Sequence, residues 1–186
     1  MTFLYTATAK FDAVNDEKKL SWAKYIQSAK LTHLTELVSL DGILNEQLVE
    51  PDYDNEDDWK FVHISGNQLT GFFTTIEYVL RRVKLHRKFN MLAVVINPEE
   101  DCKVISIDGY EFLGYDLLDA AFSNSALTNC GGFDETFLPE ELNDKGLIDD
   151  FDKAYEISTR LVQNNPEHPH ACTNVIAVWR HKTNGI

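Results

Sequence analysis

The run Phe89–Ile96, FNMLAVVI, constrains the fold more than any other stretch of the chain. It is almost unbroken in apolar residues, it closes on the β-branched Val94, Val95 and Ile96, and Asn97-Pro98-Glu99-Glu100-Asp101 ends it with a charged turn. A short apolar run bounded by turn formers reads as a buried central strand. Cys102–Ile107 then alternates in side-chain character, which predicts an antiparallel neighbour. Asp108-Gly109 turns the chain again, and Tyr110–Leu118 (YEFLGYDLL) gives another strand or extends the second. The stretch from Lys88 to Asp119 is thus the centre of a sheet that the rest of the chain must cover.

Residues 1–9 allow a short strand with Phe3 and Tyr5 on one face. From Asn15, a suitable N-cap, Trp22, Tyr25, Ile26 and Ala29 recur at helical spacing and predict a first helix. Leu34–Leu40 fits either a helical extension or a strand, and Asp41-Gly42 ends it. Trp59–Ser65 (WKFVHIS) alternates as a strand would, with Trp59, Phe61 and His63 on one face, and Ser65-Gly66-Asn67 makes a turn. A second helix is expected from near Gly71, with Phe72, Phe73, Ile76, Val79, Leu80 and Val83 as its apolar face. Arg81, Arg82, Lys84, Arg87 and Lys88 then sit at its C-terminal end, where the helix dipole favours cations. A third helix is expected from near Ile148, burying Phe151, Ala154, Tyr155, Ser158, Leu161 and Val162 until Asn164-Asn165-Pro166 stops it. Residues 167–171 read as a loop and Asn174–His181 as a last strand. With no repeat and no linker, residues 1–186 read as a single globular α+β domain with a mixed or mainly antiparallel sheet and about three packed helices.

Charge narrows the function. Thirty Asp and Glu against 17 Lys and Arg give a net charge of −13. Such a field repels phosphate backbones, which argues against direct nucleic-acid binding, and it speeds the encounter with a basic protein. Half of the carboxylates fall in residues 46–58 and 134–152. The first segment, EQLVEPDYDNEDD, contains Pro51 and no cation, and reads as an exposed loop. Its alternating Asp52, Asp54 and Glu56 hint at a calcium loop, but Asp57 and His63 stand where such a loop, counted from Asp52, needs Gly and Glu. Cys102, Cys130 and Cys172 are an odd set without a CxxC pair, which fits a reducing cytosol. There is no basic segment followed by a long apolar one at the start and no apolar run of membrane-spanning length, so the expected setting is cytoplasmic, without membrane contact.

Two groups carry possible chemistry. Cys130 lies in Asn129-Cys130-Gly131-Gly132, where a thiol beside flexible glycines could serve as a nucleophile with His168 or His170 as its base. His168, His170 and Cys172 form HxHxC, three donors with metal affinity at a spacing that matches no standard zinc site. No phosphate-cradling loop and no dinucleotide fingerprint is present, and no cofactor is expected.

The succession LVSLDGIL (37–44), DDW (57–59), FFTTIEYVLRRV (72–83), NMLAVVINPEEDC (90–102), GYDLLD (114–119), SALTNCGGF (125–133) and NVIAVWR (174–180) resembles the small acidic immunity proteins of bacterial polymorphic toxin and contact-dependent growth inhibition systems. The resemblance implies a cytoplasmic, non-enzymatic protein that neutralises a cognate toxin domain, often a nuclease. The acidic segments are the expected interface with a basic toxin: Glu50, Asp52, Tyr53, Asp54, Glu56, Asp57, Asp58 and Trp59 in one, Asp134, Glu135, Glu140, Glu141 and Asp144 in the other. Tyr53, Trp59, Phe133 and Phe137 are the expected anchors, or else core residues. The sheet could bring the two segments onto one face, and the functional reading depends on whether it does. Two alternatives stay open: a small Cys- or metal-dependent enzyme using Cys130 or His168, His170 and Cys172, and an acidic adaptor without a toxin partner.

Overall fold

A computed structural model describes residues 1–12, 31–42, 45, 55–83, 89–128 and 139–182. Its centre is β6, Phe89–Ile96, as the apolar run requires. Six strands make one sheet in the order β4-β5-β1-β6-β8-β7, and every neighbouring pair is antiparallel. The strands are β1 (Leu4–Ala9), β4 (Val62–Ser65), β5 (Gln68–Phe73), β6, β7 (Tyr110–Asp119) and β8 (Thr173–His181). The register runs from Leu4↔Val94 to Ala9↔Phe89 on one side of β6, and from Leu92↔Arg180 to Ile96↔Ile176 on the other. The architecture is α+β, with three helices among the described residues: α1 (Glu56–Trp59), α2 (Ile76–Val83) and α3 (Phe151–Asn164).

The strand expected at Cys102–Ile107 does not form. Cys102–Val104 is a single 3-10 turn, and the Asp101 carboxylate caps it by accepting from the Lys103 N–H at 2.9 Å. Cys102 and Val104, which a strand would place on one side, are fully buried and 83% exposed respectively. The place beside β6 is filled instead by β8, which arrives from the far end of the chain and separates β6 from β7.

Two helices cover one face of the sheet. α3 packs across β7 and β8, burying Ala154, Ile157 and Leu161 against Tyr115, Val175, Ala177 and Trp179. It begins at Phe151, not near Ile148, because Ile148 is bridged to Tyr115 at the edge of β7 and Asp150 takes the N-cap, accepting from the Lys153 N–H at 2.8 Å. Val162 follows Leu161 by one residue, about 100° around the helix, and is 43% exposed. The buried position that the sequence reading missed is Ile157.

α2 covers β1 and β5 with Tyr78, Val79 and Val83. It starts at Ile76, since Gln68–Phe73 is strand rather than helix. Phe72 and Phe73 point to opposite faces and enter different core clusters, so the apparent single stripe joined a strand's alternation to a helix's first turn. Trp59 ends α1 and the strand spans only Val62–Ser65, so Trp59, Phe61 and His63 do not share a strand face.

The other face is closed by the chain around Val38 and Leu40, with Phe122 and Leu147, over Leu92, Val94, Ile176 and Val178. In this segment Glu36–Leu37 (β3) pairs with Phe11–Asp12 (β2) as a small ribbon, which settles Leu34–Leu40 as mostly irregular. The Arg180 guanidinium ties it down through Glu36 at 2.6 Å while also reaching Glu111 on β7. The helix expected from Asn15 lies outside the described residues.

Gly114 marks the bulge between Phe112 and the rest of β7. Its φ is +136°, and a Cβ there would come within 2.8 Å of the Ile148 carbonyl and 2.9 Å of Leu147. Gly66 in the β4–β5 turn has a φ of +60° but open space around it. Gly114→Ala is therefore expected to lower the unfolding free energy by about 3 kcal/mol, combining strain and overpacking, against about 1 kcal/mol for Gly66→Ala. Urea denaturation of the two variants checks this, and equal losses would contradict the close packing at the bulge.

Candidate functional site

The expected acidic interface divides between the two edges of the sheet. Glu56, Asp57 and Asp58 form the first turns of α1, beside β4 and α2, whereas Glu140, Glu141 and Asp144 lie along β7. β4 and β7 are the outermost strands, five spacings of about 4.8 Å apart. These described residues of the two segments therefore stand at opposite edges of the sheet. Glu50, Asp52, Tyr53, Asp54, Phe133, Asp134, Glu135 and Phe137 lie outside the described residues.

Several of these carboxylates are committed within the fold. Asp58 is buried, correcting its assignment to an exposed loop. Its oxygens lie 3.9 Å from Arg81 and 3.7 Å from Arg82, and the Tyr78 hydroxyl is directed at them from 3.5 Å. The cationic end of α2 therefore docks on an acidic residue of the same chain. The Arg81 guanidinium also lies over the Phe61 and Tyr78 rings, 5.7 and 5.4 Å from their centroids. Trp59 is half-buried. Asp57 pairs with Lys60, Glu141 with Lys153 and Arg160, and Asp144 with Lys145. Glu56 and Glu140 face solvent.

A different set of acids converges where β6 ends and α3 begins. Tyr115 donates its hydroxyl to Asp101 at 2.7 Å while its ring meets Phe151 edge-on, and Tyr155 donates to the Pro98 carbonyl at 2.7 Å. These contacts bring Glu99, Glu100 and Asp101 against the segment that carries Asp149, Asp150 and Asp152. Of these all but Asp101 are exposed. Acids at the start of α3 suit its dipole, so part of this charge stabilises the helix.

The end of β7 holds a buried polar network. Asp116 is wholly enclosed. Its carboxylate accepts from the Leu40 N–H, the Leu117 N–H and the Ser125 hydroxyl. Burial pushes its carboxyl up to about 6 despite those bonds. Ser125 N–H donates in turn to Asp41, and Ser39 shares a hydrogen bond with Thr128. Asp119 is shifted the other way: burial acts to raise it, but bonds from Asn124, Ser123 and His170 together hold it below the ordinary carboxylate range. Nδ1 of His170 lies 2.6 Å from Asp119 and donates to the ionised carboxylate, so Nε2 is the imidazole nitrogen left for other partners. Sequence reasoning missed both aspartates. Their signal was two carboxylates in an otherwise apolar strand, GYDLLD, where burial demands hydrogen bonds.

The expected reactive groups are not assembled by the described residues. Cys130 lies outside them. Cys102 is buried and its thiol is pushed up to about 11, first by burial and then by Asp101 and Glu100, so at neutral pH it is not a thiolate nucleophile. Cys172 is exposed, while His170 turns to Asp119 and accepts nothing from a serine or cysteine of the described residues. Among those residues no three His, Cys, Asp or Glu side chains are placed to hold a metal ion, and no helix is long and apolar enough to cross a membrane.

Carboxyl carbon chemical shifts followed through an acid titration should give Asp116 a midpoint near the value of about 6 and Asp119 one below the ordinary range. Asp116 in the folded chain keeps its proton above the unfolded value of 3.8, so its contribution to stability falls as pH rises through that window. Asp119 contributes stability above the ordinary carboxylate range and loses it as pH falls through its depressed value. A midpoint for Asp116 at or below 3.8 would contradict the enclosed network.

No family model matches the chain, and neither a curated protein nor a solved structure is found to be similar to it.

Proposed function

We propose that this chain is a stoichiometric binding protein that neutralises a basic protein in the cytoplasm, as an immunity protein neutralises its cognate toxin domain. The observation that carries this reading is the acidic surface at the junction of the Asn97–Asp101 turn and the start of α3. Glu99, Glu100, Asp149, Asp150 and Asp152 are exposed there on two abutting segments of a chain with net charge −13. A surface of this kind accelerates encounter with a partner of opposite sign and disfavours acidic competitors. Nuclease toxins suit it because an active site that receives phosphate groups is itself basic. Glu140 and Asp144 of the expected interface lie along the same edge of the sheet as α3 and can extend the contact.

The direct test co-expresses the chain with toxin domains encoded beside it. One of them should be silenced, with growth restored and a one-to-one complex recovered. Failure to rescue growth or to form a complex with any of them would overturn the reading. In such a complex Glu140→Gln combined with Asp152→Asn should slow association several-fold at low salt and change it little at high salt, because screening removes the steering of exposed charges. Stopped-flow association rates at the two ionic strengths check this.

A further inference from the structure

We propose that the chain pairs with a second copy of itself through the open edge of β4, the two identical strands running antiparallel about a two-fold axis. The sheet has two outermost strands, and the chain treats them differently. The edge of β7 is covered from within. The Tyr115 and Ile148 backbones exchange hydrogen bonds at 2.7 and 3.0 Å, the Ala126 N–H donates to the Leu117 carbonyl at 2.8 Å, and the Asn143 side chain donates to the Leu113 carbonyl at 2.8 Å. Among the described residues no segment does the same for β4. A two-residue turn, Gly66-Asn67, joins β4 to β5, so Ser65 and Gln68 beside it exchange the ladder's hydrogen bonds. Ile64, the next residue, then turns its N–H and C=O away from β5. The bulge between Val62 and Ile64 interrupts the strand before that point, so a contact along this edge centres on Ile64. Neither Lys nor Pro, which commonly block an open edge, occurs in β4.

The side chains at this edge are apolar and exposed. Ile64 and Leu69 stand directly opposite each other across the hairpin and are 57% and 48% exposed. In an antiparallel self-pairing Ile64 of each copy lies beside that of the other, and the cross-strand contact covers apolar surface that the single chain leaves in water. Charge decides which partner suits the edge. Phe61–Ile76 is the longest stretch of the chain without Asp, Glu, Lys or Arg. Burial holds the His63 imidazole below its ordinary value, so it too is uncharged at pH 7. A basic partner is drawn to carboxylates and finds none in this stretch. A second copy has the opposite requirement: each chain carries a charge of −13, so two copies repel unless they meet where their own surface is neutral. The β4–β5 hairpin meets that requirement, and a pair of identical strands about a two-fold axis is complementary to itself. The contact is small, a strand of four residues, so it is weaker than the micromolar affinity at the low end of full-size interfaces.

Sedimentation equilibrium of the full chain from about 10 µM to about 1 mM tests this, since that range spans the affinities expected of so small a contact. The average mass should rise from monomer towards dimer. The rise should come at several-fold lower concentration in high salt than in low salt, because screening relieves the repulsion between two acidic chains. Ile64→Lys should keep the mass monomeric throughout, with the Val94 and Val178 amide shifts unchanged to show that the sheet still forms. In the unaltered chain, exchange of the Ile64 amide should slow as the dimer forms, the mark of strand pairing rather than of contact between side chains alone. A mass that stays monomeric over the whole range overturns the proposal. So does a dimer that dissociates as salt rises, survives Ile64→Lys or leaves exchange of the Ile64 amide unchanged.

Discussion

The structure depends on the insertion of β8 between β6 and β7. The central strand is bordered on one side by residues 4–9 and on the other by residues 173–181, so the middle of the sheet is complete only when both ends of the chain have arrived. The apolar residues of β8 serve both layers. Val175, Ala177 and Trp179 face α3, and Ile176 and Val178 face the segment around Val38 and Leu40. Arg180 extends this role to the polar margin by pairing with Glu36 and Glu111. A sheet so rich in non-local pairing is expected to fold slowly for its size. The same strand fixes the Asn97 turn, and through it Glu99 and Glu100, so the stability of the core and the order of the candidate contact surface have a common origin.

Much of the sheet was legible because its strands differ in composition from what lies between them. Phe89–Ile96 and Asn174–His181 are apolar and rich in β-branched residues, and Tyr110–Leu118 is aromatic- and leucine-rich between Gly109 and Asp119. Their order was not legible, since nothing in the sequence of β8 says which neighbours it takes. The failures share a cause: a local period fitted to the wrong element. The side chains of Cys102–Ile107 alternate in type although Cys102–Val104 is a tight turn that buries only Cys102, and Phe72-Phe73 looked helical because a strand's two faces met the first turn of α2. The α3 boundary was missed because Ile148 spends its backbone on Tyr115, a contact 33 residues away in sequence.

The candidate site was less legible because sequence counts charges without showing which are already used. Asp58, Asp116 and Asp119 all add to the negative total, yet they are buried in the service of Arg82, Leu40 and His170 respectively. Glu141 is likewise held between Lys153 and Arg160. What is left for a partner is the exposed remainder, and in its richest described part the Glu99-Glu100 turn, which the linear density of carboxylates did not single out, meets the Asp149–Asp152 segment, which it did. The buried acids instead shape the fold: Asp116 fixes Leu40 and Ser125, and Asp119 gathers residues 123, 124 and 170 at the end of β7. Phe122, held at a φ of 56° within that turn, is compensated by burial against Phe72.

The turn that carries Glu99 and Glu100 is a rigid extension of the sheet core, made so by β8. Amide hydrogen exchange measures this most directly at Asn97 and Val175, whose N–H groups donate across the junction. Both should exchange only through global unfolding, with the same opening free energy as the Val94 and Val178 amides at the centre of the sheet. Exchange of Asn97 and Val175 as fast as that of Asn67 in the β4–β5 turn, with Val94 and Val178 still protected, would show that the acidic turn opens independently and is no part of the rigid core.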